Sequence, residues 1–350
     1  MSIKHVPSEF PTINDALANS NPCDTILIDS GVFTNFGNTI IPSNLNTIRI
    51  VGQGIDETII EGSINSDSVG IDISKSSFIT IENLTLKGFN ENGILVESDN
   101  NIINKVRVMN TVLGFANKDG IRIEGKYNIC IDCQSMNNGA DGIGVSGDNN
   151  YIIQCRVSNN GIDGIGVSGS NNLIFNNMAE NNTNFGDGIF STSSSNIYIK
   201  NIARLNSDDG IDLESNNNLL LFNHCYNNGN DGIEVFSVYI VWGNKVIDNL
   251  NGIGTSQDDN SNIINQNTCT NNKENGILIN GDRNIIDRNC ITDNDEAGIF
   301  FGSTSENNCY RSNCIEDNLN NVIDKGTNNI MDSNIFKKPK KENCHITYPK

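Results

Sequence analysis

The sequence predicts an all-β solenoid, a chain wound so that short strands stack in parallel from one coil to the next. Three observations carry this prediction. A Gly-Ile step recurs from Gly93 to Gly298 in ten copies, nine of them preceded by Asp or Asn, with intervals averaging about 23 residues. A fixed period of that length marks a stacked architecture. Each period also holds an Asn, an apolar run and a second polar residue five positions on, as in Asn150 to Cys155, Asn172 to Asn177, Asn196 to Asn201 and Asn284 to Asn289. Finally, Gly and Asn interrupt every apolar run before it reaches helical length, while apolar residues two apart suit a pleated strand.

Aligning the periods gives columns. One contains Asn177, Asn201, Asn223, Asn244, Asn267, Asn289 and Asn313. A second contains small or branched apolar residues, among them Val108, Val157, Ala179, Ala203, Cys225, Val246, Cys269, Ile291 and Ile315. The Gly-Ile step supplies a third, with apolar partners two residues on, such as Ile143 with Val145 and Ile211 with Leu213. Each period therefore offers about three strands, and stacked units share a core that one unit alone cannot form. Neighbouring coils lie about 4.8 Å apart, and roughly twelve are expected. Of 350 residues 64 are Asn; in the expected turns Asn tolerates left-handed backbone, and its amide both donates and accepts along the stack.

On these residues the chain resembles the right-handed parallel β-helix repeat proteins of the pectate-lyase-like superfamily. The resemblance implies a single-stranded right-handed parallel β-helix spanning residues 1–336, with an N-terminal cap over about 3–33 and a tail at 337–350. Phe10 to Leu17 resembles the capping helix of that family, with Thr12 able to N-cap it. Asp24 to Phe33 resembles its first strand and turn. The fold carries lyases, hydrolases, epimerases, adhesins and non-catalytic surface proteins, so it does not name a reaction.

Formal net charge is −19, which excludes a nucleic-acid backbone as partner and repels acidic polysaccharides unless a basic patch or bound cation intervenes. No apolar segment reaches membrane-spanning length, and residues 1–20 lack the basic start and apolar core of a secretory signal; the compartment stays open, with a surface or extracellular role suspected. Ten Cys are present. Cys133 and Cys155 share one column on consecutive coils, where free buried thiols are expected and a disulfide is the alternative. Cys130-Ile-Asp-Cys133 has no second CxxC or His pair and reads as structural.

Asp119, Asp141, Asp163, Asp187, Asp209 and Asp231 share one position on six consecutive coils. At about 5 Å each neighbouring pair repels by about 0.8 kcal/mol even in water. One reading is an Asx-turn, each Asp accepting N–H groups of its own Gly-Ile turn. The other is a calcium ladder, with Asp187, Asp209 and Asp231 as ligands, since hard cations take several carboxylate oxygens. Strand alternation sends Arg122, Gly144, Gly166, Asp212, Glu234 and Gly254 outward, with Glu124, Glu214, Ser146, Ser168 and Ser256 beside them. The result is a Gly/Ser face with an acidic centre. Lys200, Arg204, His224 and Tyr226 fall on the other outward face of the same two coils. Tyr239 and Trp242, the only tryptophan, interrupt the repeat and read as a sugar-stacking platform or as core and edge filling.

The resemblance implies two catalytic kits. Hydrolases pair carboxylates; lyases and uronate epimerases neutralise a substrate carboxylate with a cation and move a proton with Tyr, His, Lys or Arg. Asn206-Ser-Asp-Asp-Gly-Ile-Asp212 is similar to the Asp-rich segment of polygalacturonase-like hydrolases, and Gln257-Asp258-Asp259 to another of their motifs. Their Gly-His-Gly and Arg-x-Lys are absent, as is the Asp-Pro-His of mannuronan epimerases. Asp208, Asp209, Asp212, Glu214, His224, Tyr226 and Lys200 are therefore the candidate catalytic set, with Arg204, Glu234, Tyr239 and Trp242 as candidate substrate contacts. The sequence supports a carbohydrate-related protein, a lyase or epimerase on an acidic polysaccharide before a hydrolase. The alternatives are a glycan-binding or coat rod and a homo-oligomeric phage or spore adhesin. Intervals of mostly 20 to 24 residues leave little loop for a deep groove; the main extra loop is expected at 113–117.

Overall fold

A computed structural model describes residues 1–34, 38–62, 68–111, 118–236, 240–257 and 261–336. The expected extra loop at 113–117, Tyr239, Asp258, Asp259 and the tail 337–350 lie outside the described residues. The chain forms two compact units, Met1–Asn184 and Phe185–Lys350, and each is a parallel β-solenoid. Turns number about fourteen rather than the twelve expected; one lies over Gly70-Ile71, a step before the ten counted, where Ile71 pairs in register with Ile94.

The first unit opens with strand Ile3–Val6, which pairs in parallel with Thr25–Ile28. Asp24 to Phe33 is thus not the first strand; the pairing partner comes before the helix. That helix, Ile13–Ala18, begins where Thr12 accepts the Asp15 N–H and buries Ile13, Ala16 and Leu17. From residue 121 on, each turn carries three short strands, as in Ile129–Ile131, Gln134–Met136 and Ile143–Val145. Each strand pairs in register with its counterpart one turn on: Ile121 with Ile143, then Ile143 with Ile165. The second unit repeats this, with Ile211 against Ile233 and Ile233 against Ile253. The expected apolar columns form the core, and Ile121, Val157, Ala203, Cys225, Val246, Ile291 and Ile315 are all fully buried. Each buried Ile or Val stabilises by about 1.5–3 kcal/mol.

The corners explain the asparagine content, in a way that differs from the expectation. Two tasks expected of one Asn fall to neighbouring residues. The left-handed residue comes first and at this corner is of varied type, as in Lys200, Phe222, Gln266, Arg288 and Ser312 with φ between 54 and 58°; at the other corners it is often Asn, as expected, with Asn149, Asn159, Asn217 and Asn227 all left-handed. The Asn after it lies buried in the stack. Asn223 Oδ1 accepts the Asn201 N–H at 2.9 Å and the Asn201 amide at 3.0 Å, while its own Nδ2 donates to Tyr198 O at 2.9 Å and Asn244 Oδ1 at 3.0 Å. All four hydrogen-bonding sites of the amide are used. Such ladders stand at all three corners, exemplified in the second unit by Asn196 to Asn218, Asn201 to Asn223 and Asn206 to Asn228.

Replacing an interior ladder residue strands several buried polar groups at once, each costing about 1–3 kcal/mol. Asn223→Ala is expected to lose about 3 kcal/mol or more in denaturant unfolding, against less than about 0.5 kcal/mol for the exposed Asn216→Ala. Equal effects would remove the ladder from the account of stability.

Candidate functional site

The acidic column makes a fourth ladder, of opposite polarity. Asp209 Oδ1 accepts the N–H of Asp231 at 2.6 Å, and Asp187 Oδ1 accepts that of Asp209 at 2.8 Å. In the first unit Asp119 and Asp141 serve Asp141 and Asp163 in the same way, at 3.2 and 3.1 Å. These bonds join one turn to the next, which corrects the Asx-turn reading: the Gly-Ile amides enter strand pairing, so each carboxylate serves the neighbouring turn. Only an acceptor is required here, so Asp can occupy a column where Asn also works. Asn does more, since Asn251 Nδ2 donates to Asp231 Oδ1 at 2.9 Å. A carboxylate has no such proton and meets the next one unrelieved.

The second carboxylate oxygen constrains the outward column beside it. A Cβ at Gly144 would fall on Asp119 Oδ2, one at Gly166 on Asp141 Oδ2, and one at Gly254 on Asp231 Oδ2. Glycine at these outward positions therefore leaves space for the acids. Two turns place acids in this column, where Asp212 and Glu234 pair in register, while other turns carry glycine, Arg122 or Phe190. The ligand oxygens of Asp209, Asp212 and Glu234 all lie within 4.8 Å of one another, as do those of Asp187, Asp208 and Asp209. Four carboxylates thus converge on Asp209. Asp212 is only 9 % exposed, contrary to its expected exposure, because Phe190 and Glu234 flank it in register on the adjoining strands.

Burial pushes the Asp209 carboxyl up to about 10, with the charges of Asp231, Asp187, Glu234 and Asp212 adding to the effect. Asp231 is raised to about 6, again mainly by burial, with the Asn251 hydrogen bonds opposing the rise. The first unit offers a contrast. Burial also raises Asp119, but there the outward position holds Arg122, whose guanidinium sits 3.2 Å from Asp119 Oδ2 and opposes the rise. At Asp119 the neighbouring cation opposes the rise; at Asp209 the neighbouring acids add to it.

The basic and aromatic candidates form a separate group on the second strand of the turn. Arg204 Nη1 donates to Tyr226 Oη at 2.9 Å, and the His224 and Tyr226 rings lie 4.5 Å apart. His224 pairs in register with Lys245; burial, and secondarily that cation, lowers its affinity for a proton. Lys200 is exposed at the left-handed corner before Asn201. The two groups lie on different sheets but are linked by one corner: Arg204 precedes Asp208 by four residues, a reach of no more than about 14 Å. Glu214 is exposed and takes no part in the cluster. Trp242 is half-buried at the preceding corner, its ring 5.0 Å from Phe222, which favours edge filling over a platform beside the acids. The signal for Asp212 and Glu234 is legible as acid in the outward column where Gly144, Gly166 and Gly254 stand on other turns.

The donor set fits a hard divalent cation. Calcium binds six to eight oxygens at about 2.3–2.6 Å, so oxygens sharing one ion lie at most about 5 Å apart, and both oxygen groups meet that limit. Such an ion would supply charge neutralisation at Asp209 and an attachment point for an anionic ligand.

The sign of the Asp209 effect on stability is testable. Its folded pKa exceeds the ordinary 3.8, so the folded chain retains a proton that the unfolded chain has lost. Stability from this group is present below about pH 4 and declines as pH rises toward about 10. Asp209→Asn keeps the acceptor for Asp231. In chelator it is expected to match the parent near pH 4 and to exceed it by about 1–3 kcal/mol at pH 8. Thermal melts across this range check it; a pH-independent difference would contradict the assignment.

Two family models match the sequence. One, described as a right handed beta helix region, covers residues 92–256; the other, the periplasmic copper-binding protein NosD, covers 183–348. The curated proteins give no match. Among solved structures, the Azotobacter vinelandii mannuronan C-5 epimerase AlgE6 A-module is 16 % identical with a TM-score of 0.62, over 93 % of this chain and 94 % of that one. A mannuronic acid specific polysaccharide family 6 lyase from human gut microbiota is 12 % identical with a TM-score of 0.66, over 97 % and 92 %. The periplasmic alginate epimerase AlgG is 13 % identical with a TM-score of 0.58, over 95 % and 83 %. At these identities the likeness is one of fold. Taken with the parallel register, the inward columns and the capping helix, it shows that the chain has the parallel β-helix fold of these proteins.

Proposed function

We propose that this protein binds and processes an anionic polysaccharide of the uronate type, as a lyase or epimerase, on the face formed by turns 187–256. The observation that carries the reading is the placement of two further acids, Asp212 and Glu234, beside an already buried acidic column, at positions where Gly144, Gly166 and Gly254 stand on other turns. Nothing in the stacking requires it, and it raises the cost of folding without a cation. Calcium held by Asp187, Asp208, Asp209, Asp212 and Glu234 would turn that repulsive surface into one that attracts a uronate carboxylate. Asp231 would stand below it in the column. Proton transfer would fall to the adjacent group. His224, held neutral by burial and Lys245, can accept a proton at neutral pH, and the Tyr226 hydroxyl, receiving a hydrogen bond from Arg204, is directed to relay one. Arg204 and Lys200 supply positive charge for further carboxylates along the chain. The mannuronan and alginate epimerases and the mannuronic acid specific polysaccharide lyase among the similar structures are consistent with this chemistry.

A non-catalytic glycan-binding role is the second reading, favoured by the short intervals between repeats, which leave no long loops to enclose a substrate. The two separate by turnover. Alginate, pectate and hyaluronan, each with and without calcium, are to be followed by absorbance of new unsaturated ends and by NMR of the product for epimerisation. Asp208→Ala, Asp212→Ala and His224→Ala are each expected to keep the fold and reduce turnover by at least about tenfold, with chelator mimicking the two Asp variants. Unchanged turnover in all three rejects this face. Polymer binding without turnover selects the second reading.

A further inference from the structure

Away from the acidic face, the core of the first unit gathers three thiols. Cys130, Cys133 and Cys155 are all essentially inaccessible, and their sulfurs lie within 4.8 Å of one another, with Cys130 Sγ and Cys155 Sγ at 3.7 Å. None is required by the repeat. Cys130 stands in register with Ile103 and Ile152. Cys133 and Cys155 occupy the ladder column that becomes Asn177 one turn later, where Asn177 Oδ1 accepts the Cys155 N–H at 2.8 Å. Three departures from the repeat thus converge on one point.

We propose that Cys130, Cys133 and Cys155 form a trigonal site for a soft monovalent d10 cation, Cu(I) being the natural candidate. Three sulfurs about 2.3 Å from a central ion, the length of a zinc–thiolate bond, stand about 4 Å apart, which the 3.7 Å separation approaches. Thiolate sulfur selects such ions. Zinc takes four ligands in structural sites, whereas the described residues place three thiols here and no His, Asp or Glu within the same radius. Binding would release thiol protons to solvent, with no change in the oxidation state of metal or sulfur. The CxxC spacing alone carries no such reading; the third ligand arrives from the next turn. The site also lies outside the stretch 183–348 matched by the copper-binding family model.

The full chain, purified without oxygen, is to be titrated with Cu(I) supplied as its bicinchoninate complex, and separately produced in copper-supplemented medium. The parent is expected to hold one Cu(I) more than Cys130→Val/Cys133→Asn/Cys155→Asn, in which Val is a smaller apolar stand-in for the Ile of the adjoining turns and Asn is the residue the ladder column carries at Asn177. X-ray absorption at one equivalent is expected to show three sulfurs near ~2.3 Å. Cys225→Ala and Cys269→Ala, elsewhere in the core, are expected to retain the ion. If the triple variant loses its β signature, Cys155→Asn alone carries the comparison. Equal copper in parent and variant by both routes, zinc retained in its place, or a Cys130–Cys155 disulfide in the purified chain would each overturn the proposal.

Discussion

A spacing of about 4.8 Å between successive turns is the constraint on which the rest of this structure depends. It places every side chain directly against its counterpart one turn away, so each column must be compatible with itself. Ile on Ile satisfies this by excluding water. Asn on Asn satisfies it because one amide both donates and accepts, and here it also takes up backbone groups left open at the corners. The abundance of a single polar residue type is thus a consequence of stacking geometry.

Asp on Asp does not satisfy it. The carboxylate accepts the neighbouring N–H but offers no proton in return, and burial removes the water that would screen it. In the first unit Arg122 and two glycines contain the problem. In the second, Asp212 and Glu234 intensify it. A fold under pressure only to be stable would place Gly or Asn at these positions, as it does at Gly254 and Asn251. This excess acid is what the proposed cation site rests on.

Much of the fold was legible in the sequence because solenoid columns are periodic in the chain itself. Ile143 under Ile165 needs no knowledge of distant contacts. What escaped was what period does not encode. Phase aligned Asn201 with Asn223 but could not separate the left-handed Lys200 from the buried Asn beside it. The acid column was visible, yet the direction of its hydrogen bonds was not, since own-turn and next-turn bonds use the same residues. Asp212 was rightly placed on the outward face and wrongly expected to be exposed, because alternation says nothing of Phe190 and Glu234 covering it. Cys155 joined Cys133 in a column, but its approach to Cys130 depends on how a corner turns inward.

The central claim is that Asp209 and its neighbours hold fewer charges than carboxylates until a cation enters. Calorimetric titration with calcium at pH 7, in two buffers of different ionisation enthalpy, tests it directly. The account predicts about one proton released for each ion bound, lost in Asp209→Asn. Calcium binding without proton release, or no calcium binding at all, would contradict it.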